Sequence, residues 1–118
     1  MPTSGPIVTF DRFDVVVVPF PFTDRAQQKR RPALVLSNTA FNKQSGHSVM
    51  AMITSVGDMP WPLDMDIRNL KAAGLPAASV VRMKLFTLDN NFVAGKAGRL
   101  SKSDQAQVEQ SFGNLLLV

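Results

Sequence analysis

The stretch FDVVVVPFPF, residues 13–22, contains four consecutive valines flanked by aromatic residues. β-Branched side chains favour extended backbone, and an apolar run this short is typical of a strand buried on both faces. Pro19 and Pro21 cannot donate hydrogen bonds to a β-ladder, so the strand is predicted to end there, over residues 13–19. Residues 1–10 mix Pro, Thr, Ser and Gly, which predicts a loose lead-in before this strand.

Further strand patterns follow the valine run. Short apolar or alternating segments predict five more strands, at residues 32–37, 48–55, 61–67, 79–88 and 92–100. The last two are predicted to lie on either side of a turn at Asp89 and Asn90. Polar segments at residues 23–31 and 38–46 predict loops, and residues 68–73 predict one helical turn closed by Gly74.

The C-terminal segment carries the clearest helix pattern. Ser101 and Asp104 have the spacing of a capping box, with Asp104 as a weaker reciprocal cap than Glu or Gln. Apolar residues then recur at helical spacing, at Val108, Phe112, Leu115 and Leu116, with Gly113 near the end. Strands followed by one helix predict a mainly β fold, an antiparallel β-barrel with a C-terminal α-helix, as a single domain over residues 1–118.

The composition limits the functional classes. A hydrophobic fraction of 45% predicts a globular chain, and the lack of cysteine excludes disulfides and thiolate metal sites and fits a cytoplasmic protein. No apolar run is long enough to span a bilayer. Thirteen Lys and Arg against nine Asp and Glu give a net charge of +4, which favours phosphate-bearing partners. With a single Glu among the nine acids, few carboxylates are left for a multi-metal nuclease site.

The densest positive cluster is Lys29, Arg30 and Arg31, directly before Pro32. A residue that precedes proline is biased to extended backbone, so the direction of the Arg31 side chain is partly fixed. A guanidinium binds phosphate through two hydrogen bonds and stabilises charge that develops on phosphorus. The alternative reading is a solvated basic loop without a ligand.

Polar residues on two later strands are further candidates. Thr54 and Ser55 end the third strand, where two hydroxyls could donate to phosphate oxygens or simply cap the strand. Arg82 and Lys84 lie two residues apart, so they share one face of their strand, as a binding surface or as a solvated sheet face.

Two aromatic residues occur once each in the chain. His47 follows Gly46 at a junction between loop and strand, where it could act as a general acid, contact a base or have no catalytic role. Trp61, between Pro60 and Pro62, could stack on a nucleobase, although packing is the commoner role for tryptophan. No metal-binding motif and no glycine-rich phosphate loop is present.

Several of these segments, taken together, resemble the PemK/MazF family of toxins. The similar segments are FDVVVVPFPFTD at 13–24, KRRPALVLS at 29–37, MITS at 52–55, AGL at 73–75, SVVR at 79–82, LFTLD at 85–89 and GRL at 98–100. The first pair is the most specific. The resemblance covers roughly residues 13–112.

The resemblance implies an SH3-like, CcdB-type barrel, a homodimer, a cognate antitoxin, and sequence-selective cleavage of single-stranded RNA without metal or other cofactor. It implies that Arg31 and Thr54 are catalytic. Arg31 would stabilise the phosphorane, with Thr54 and Ser55 positioning the phosphate. Lys29, Arg30, Ser55 and Arg82 are the expected RNA-binding residues.

The chain also departs from the family pattern. Where some relatives have a Glu ahead of the catalytic arginine, this chain has Ala26, Gln27 and Gln28, and near Ser79 it lacks the Asp that others have. Asp24, which lies in the same predicted loop, could substitute for the missing carboxylate. Two alternatives therefore stay open: a gyrase poison of the CcdB type, which shares the fold, and a relative that binds RNA or an antitoxin without cutting.

Overall fold

The computed structural model describes residues 9–20, 29–57 and 59–117. Within these residues the chain forms six strands, three α-helices and a short 3₁₀ helix, Asn90–Phe92. The strands are β1 Asp14–Phe20, β2 Lys29–Val35, β3 His47–Ser55, β4 Met65–Asp66, β5 Ser79–Asp89 and β6 Gly95–Arg99. The helices are α1 Thr39–Ser45, α2 Leu70–Ala73 and α3 Lys102–Leu116.

The described strands form one antiparallel sheet in the order β4-β5-β3-β2-β1-β6. β4 and β6 are its two edges, yet helix α2, which follows β4 in the chain, packs against β6. The sheet is therefore curled into a half-barrel. A mainly β fold with a C-terminal helix, as the sequence predicts, is confirmed.

Two glycines allow α2 to approach β6. A Cβ atom on Gly98 would lie 2.4 Å from the carbonyl oxygen of Ala72, and one on Gly74 would lie 2.1 Å from that of Ala97. Gly74 also ends α2 in the left-handed conformation, with φ of 72°, which confirms the predicted helical turn and its glycine stop. The close contact between α2 and the edge strand β6 therefore depends on both glycines.

The valine run of β1 is buried on both faces, as predicted. Val15 belongs to a core under helix α3, whereas Val16 and Val18 belong to a second core on the other face of the sheet. All three are fully buried. Val17 is half-buried. Because apolar side chains are buried on both faces, the strand has a continuous apolar run in place of the alternation of a half-exposed strand.

Helix α3 begins as predicted, but its contacts differ in part. The Ser101 hydroxyl accepts a hydrogen bond from the Asp104 N–H (3.3 Å), which confirms the cap. The Asp104 carboxylate does not cap in return; it accepts from the backbone N–H groups of Arg68 and Asn69. The predicted apolar stripe holds for Val108 and Phe112 in the core but is wrong for two later members, because Leu115 and Leu116 are exposed.

Two segments differ from their predicted class. Residues 38–46, predicted as a loop, contain α1: the Asn38 side chain accepts from the Phe41 N–H, and Gly46 ends the helix at φ 73°. The strand predicted at 61–67 shortens to β4, because Asp64 closes a turn with Trp61 through hydrogen bonds of 3.1 and 3.0 Å. Side-chain caps and turns took precedence over the hydrophobic pattern in both segments.

The last two strands lie on either side of residues 89–90, as predicted, but they are not neighbours in the sheet. β6 does not pair with β5 across the turn at Asp89 and Asn90; it pairs with β1 at the other side of the sheet. The 3₁₀ helix and the residues after it carry the chain between these positions. In the part of the chain described here, no helix is long and apolar enough to cross a membrane.

Candidate active site

The basic cluster lies on a strand and not in the predicted loop. Lys29, Arg30 and Arg31 are exposed and form the first part of β2, where Arg31 pairs with Val18 of β1. Successive residues of a strand point to opposite faces. Lys29 and Arg31 therefore share one face, and Arg30 projects from the other, so the three charges do not act as a single patch.

The predicted hydroxyl pair lies at the end of β3, as expected from the sequence. Thr54 is half-buried opposite Val80 of β5, and Ser55 is exposed opposite Ser79. The same alternation sends their hydroxyls to opposite faces of the sheet. Thr54 alone can therefore share a face with Arg31.

The register between β2 and β3 relates these two residues. Ala33 pairs with Met52, and continuing this register by two residues puts Arg31 opposite Thr54. The recorded ladder stops at Ala33, and the residue before it, Pro32, has no N–H to donate to β3. Arg31 and Thr54 thus flank the point where the pairing of the two strands ends, with neighbouring strands about 4.8 Å apart where they pair.

The polar side chains at the end of this pairing form no hydrogen bonds or ion pairs with other described residues. Among residues 9–20, 29–57 and 59–117, neither the Arg31 guanidinium nor the hydroxyls of Thr54 and Ser55 have a hydrogen-bond or ion-pair partner. A guanidinium and a hydroxyl on one face can donate hydrogen bonds to the oxygens of one phosphate. The arrangement is chemically suited to an oxyanion that both residues contact.

Arg82, in contrast, is held by neighbouring residues. Its Nε and one Nη donate to the two oxygens of Asp64 at 3.1 and 2.9 Å, and the same Nη donates to the carbonyl oxygen of Met59. Burial tends to raise the pKa of Asp64. The Arg82 hydrogen bond, the backbone N–H of Trp61 and the Arg82 charge outweigh burial and lower that pKa below its ordinary value of 3.8.

A surface aromatic lies beside this ion pair. The Trp61 ring centroid is 5.8 Å from the Arg82 guanidinium carbon and 5.4 Å from the Lys84 ammonium nitrogen. Arg82 and Lys84 share one strand face, as their spacing predicts. The ion pair between Asp64 and Arg82 could not be predicted from local pattern, because it joins residues on separate elements.

His47 lies away from this site. It is the first residue of β3, exposed, with its Nδ1 3.0 Å from the carbonyl oxygen of Ser45. Thr54 lies seven positions further along β3, or about 24 Å away. The described residues also contain no group of three or more His, Cys, Asp or Glu side chains able to hold a metal ion.

Several solved structures have a similar fold. The chain superposes on a chain of a MazE–MazF crystal structure from Deinococcus radiodurans with a TM-score of 0.74, at 24% identity, covering 92% of this chain and 97% of that one. For an endoribonuclease in complex with its cognate antitoxin from a mycobacterial species the TM-score is 0.70, at 15% identity, covering 92% and 93%. For the Mycobacterium tuberculosis toxin MazF-mt6 it is 0.69, at 19% identity, covering 86% and 93%.

These identities are low enough that the likeness demonstrates the shared fold alone. Comparison with curated proteins found no match. The family comparison extends further, because residues 11–116 match the model of the PemK-like, MazF-like toxin of type II toxin-antitoxin systems. The chain therefore belongs to the PemK/MazF family of toxins.

Proposed function

We propose that this toxin is a metal-independent endoribonuclease that cuts single-stranded RNA at selected sequences. The observation that carries the proposal is the position of Arg31 and Thr54 across the opening between β2 and β3, each with an uncommitted donor among the described residues. Family membership supplies the class of reaction. The net charge of +4 suits a polyanionic substrate.

The chemistry follows from the two donors. In the proposed reaction the RNA 2′-oxygen attacks the adjacent phosphorus as its proton leaves. The bond from phosphorus to the 5′-oxygen breaks, and that oxygen takes up a proton. Arg31 stabilises the charge on the pentacovalent phosphorus through its planar fork, and Thr54 positions a phosphate oxygen. DNA has no 2′-hydroxyl and is not a substrate for this step.

The residues predicted to bind RNA have smaller roles in the proposed function than Arg31 and Thr54. Lys29 shares the face of Arg31 and would bind an adjacent phosphate. Arg30 and Ser55 project to the other face, which would make their contacts with RNA weaker. Arg82 already binds Asp64, so its part would be to fix the turn that holds Trp61 in place.

The base that accepts the 2′-hydroxyl proton is the unassigned part of this mechanism. Asp24, the substitute carboxylate in the sequence, lies outside the described residues. Among the described carboxylates, Asp66 shares a cross-strand row with Thr54, because Val80 pairs with both. Two strand spacings, about 10 Å, separate them, so Asp66 does not reach Thr54 directly.

This gap favours one alternative function, a relative that binds RNA or the antitoxin without cutting. A gyrase poison of the CcdB type is the other alternative, and the uncommitted Arg31 and Thr54 favour RNA over it. A cognate antitoxin partner is part of the proposal, since one similar structure is described as an endoribonuclease in complex with its cognate antitoxin and another as MazE–MazF.

A cleavage assay in excess EDTA separates these functions. Purified protein is incubated with single-stranded RNA and with DNA of the same sequence, and the products are separated by electrophoresis. Cleavage of RNA alone supports the proposal. Binding of RNA without products supports the non-cutting relative, and activity that requires added magnesium contradicts the metal-free mechanism.

A further inference from the structure

Trp61 is the one tryptophan of the chain, and it lies on the surface. Its exposed fraction is 43%, so the commoner packing role of tryptophan does not describe it. A buried tryptophan stabilises a core, whereas exposure of this indole forgoes that gain. The surface position therefore calls for a role outside the core.

The turn that carries Trp61 is rigidly built. The Asp64 carboxylate accepts from the Trp61 N–H at 3.0 Å, and the Asp64 N–H donates to the Trp61 carbonyl oxygen at 3.1 Å. Leu63, inside this turn, has a φ of 66°, a conformation that a leucine rarely adopts, and it packs against the core under α3. Prolines on both sides of Trp61 restrict the backbone further.

Two cations from β5 lie against the indole ring. The ladder between β3 and β5 shifts after Ala51, so that Arg82 pairs with Met52 and the next partner is Leu85. Lys84 falls within this irregularity, and bulges of this kind re-aim side chains. Lys84 lies over the ring, and no carboxylate of the described residues forms an ion pair with it.

The ring is close to the proposed reaction centre. Thr54 pairs with Val80, and Arg82 lies two residues further along β5, about 7 Å away. One strand spacing, two residues of strand, the length of the Arg82 side chain and the 5.8 Å to the ring centroid together put the indole roughly 10–20 Å from Thr54. The few nucleotides that adjoin the scissile phosphate span a distance of this order.

We infer that Trp61 is a stacking platform for one nucleobase of the RNA beside the cleaved bond, with Lys84 binding the phosphate of that nucleotide. An aromatic face with a neighbouring cation is the chemistry that recognises unpaired bases in single-stranded nucleic acid. The inference rests on the proposed function for its substrate. It adds a subsite that binds a base and so contributes to the choice of cleavage position.

The chain allows a direct test, because Trp61 is the sole tryptophan and no tyrosine is present. Intrinsic fluorescence therefore reports on this indole alone. The probe is a 2′-O-methyl RNA of about ten nucleotides and mixed sequence, which binds but cannot be cut. An abasic chain of the same length and charge is the matched ligand. Stacking predicts strong quenching by the first and little by the second.

Two substitutions complete the test. Trp61→Ala should weaken binding of the same labelled oligonucleotide roughly 5- to 150-fold, the range found for loss of one stacked base. Trp61→Phe should keep most of the affinity, because phenylalanine retains a stacking face. Phe41→Ala, at a position with 45% exposure on α1, is the matched control and should bind as wild type does.

Different outcomes distinguish this inference from the proposed function. Equal quenching by the abasic chain, or unchanged affinity of Trp61→Ala, overturns the stacking platform even where RNA is cleaved normally. Quenching with no cleavage of unmodified RNA overturns the endoribonuclease and leaves the platform standing. Where cleavage occurs, Trp61→Ala should raise KM far more than it lowers kcat, because stacking acts on substrate binding.

Discussion

Arg82 binds the carboxylate of Asp64 through two hydrogen bonds, of 3.1 and 2.9 Å, and so ties the long strand β5 to the turn before β4. Both side chains are largely buried, with exposed fractions of 14% and 17%. A two-point pair of this kind between a guanidinium and a carboxylate fixes geometry as well as contributing free energy. The turn it holds is the one that presents Trp61.

The first prediction concerns the pH dependence of folding stability. Because the pKa of Asp64 is lowered by folding, its contribution to stability is complete above the unfolded value, 3.8, and is lost as the pH falls through the lower folded value. Asp64→Asn should therefore lower the free energy of unfolding near neutral pH, by about 1–3 kcal/mol. The difference from wild type should shrink in acid.

Urea denaturation at a series of pH values measures this difference. Asp66→Asn is the matched control, since Asp66 is exposed and forms no ion pair with another described residue. Its unfolding free energy should stay within about 0.5 kcal/mol of wild type. If Asp64→Asn and wild type differed in unfolding free energy by the same amount at neutral and at acid pH, the ion pair would not be the cause of the difference.

The second prediction concerns the proposed catalytic residues. Arg31→Ala and Thr54→Ala should each reduce RNA cleavage by on the order of 10²–10³, the usual cost of losing one preorganised donor. Arg31→Lys should also fail, because a point charge does not reproduce the planar fork. Single-turnover cleavage of a labelled RNA gives the rates. Lys43→Ala on α1 is the charge-matched control, and near-normal cleavage by folded Arg31→Ala would move the active site elsewhere.

The third prediction concerns the buried carboxylate of Asp104. It accepts hydrogen bonds from the N–H groups of Arg68 and Asn69, at 3.2 and 3.0 Å, and joins the start of α3 to the start of α2. Asp104→Ala removes the acceptor of two backbone N–H groups and leaves a cavity where a fully buried carboxylate was, so it should cost about 1–3 kcal/mol of unfolding free energy. Asp104→Asn keeps one acceptor oxygen. Its thermal unfolding temperature should therefore lie between those of Asp104→Ala and wild type. Equal stability of Asp104→Ala and wild type would contradict the prediction.

The fourth prediction concerns the contact between α2 and β6. Gly98→Ala would bring a methyl group within 2.4 Å of the Ala72 carbonyl oxygen, a backbone atom that cannot rotate away. The two elements must separate, at a cost of about 1–3 kcal/mol. Gly95→Ala on the same strand meets nothing within 4 Å and should be nearly neutral. Chemical denaturation of both variants tests the difference, and equal effects would rule out the steric cause.

The sequence predicted most strongly those features that local pattern determines. The valine run of β1, the Ser101 cap and the Gly74 stop each depend on a few neighbouring residues, and the structure has all three. Helix α1 was missed although its cap residues, Asn38 and Gly46, are readable, because the segment between them is polar and has no clear apolar stripe.

Long-range pairing set the limit of prediction. That β6 pairs with β1, and that Arg82 pairs with Asp64, depends on the path of the chain between separate elements. Local spacing contains no information on either. For the site, the sequence predicted which donors to consider, whereas the strand alternation that separates Arg30 from Arg31 required knowing that β2 begins at Lys29.

The fifth prediction is that the toxin is a homodimer in which both copies of Arg31 face one electropositive cleft. A chain of 118 residues has a limited core, and β4, the edge strand of the described sheet on the side opposite β6, can be protected by pairing with a second copy. Sedimentation at micromolar concentration should therefore give twice the chain mass. A monomer that still cleaves RNA would contradict the shared cleft.

The same cleft leads to a prediction about the antitoxin. An acidic or amphipathic antitoxin segment should inhibit by covering the cleft and competing with RNA, because both ligands would use Lys29 and Arg31. Each cation that is paired with a phosphate releases counterions, so RNA affinity falls as salt rises, and inhibition that depends on the same charges should weaken with it. Titration of a labelled non-cleavable RNA with the antitoxin segment at increasing salt measures both affinities. Inhibition that stays constant while RNA binding weakens would place the antitoxin on an apolar surface away from these cations.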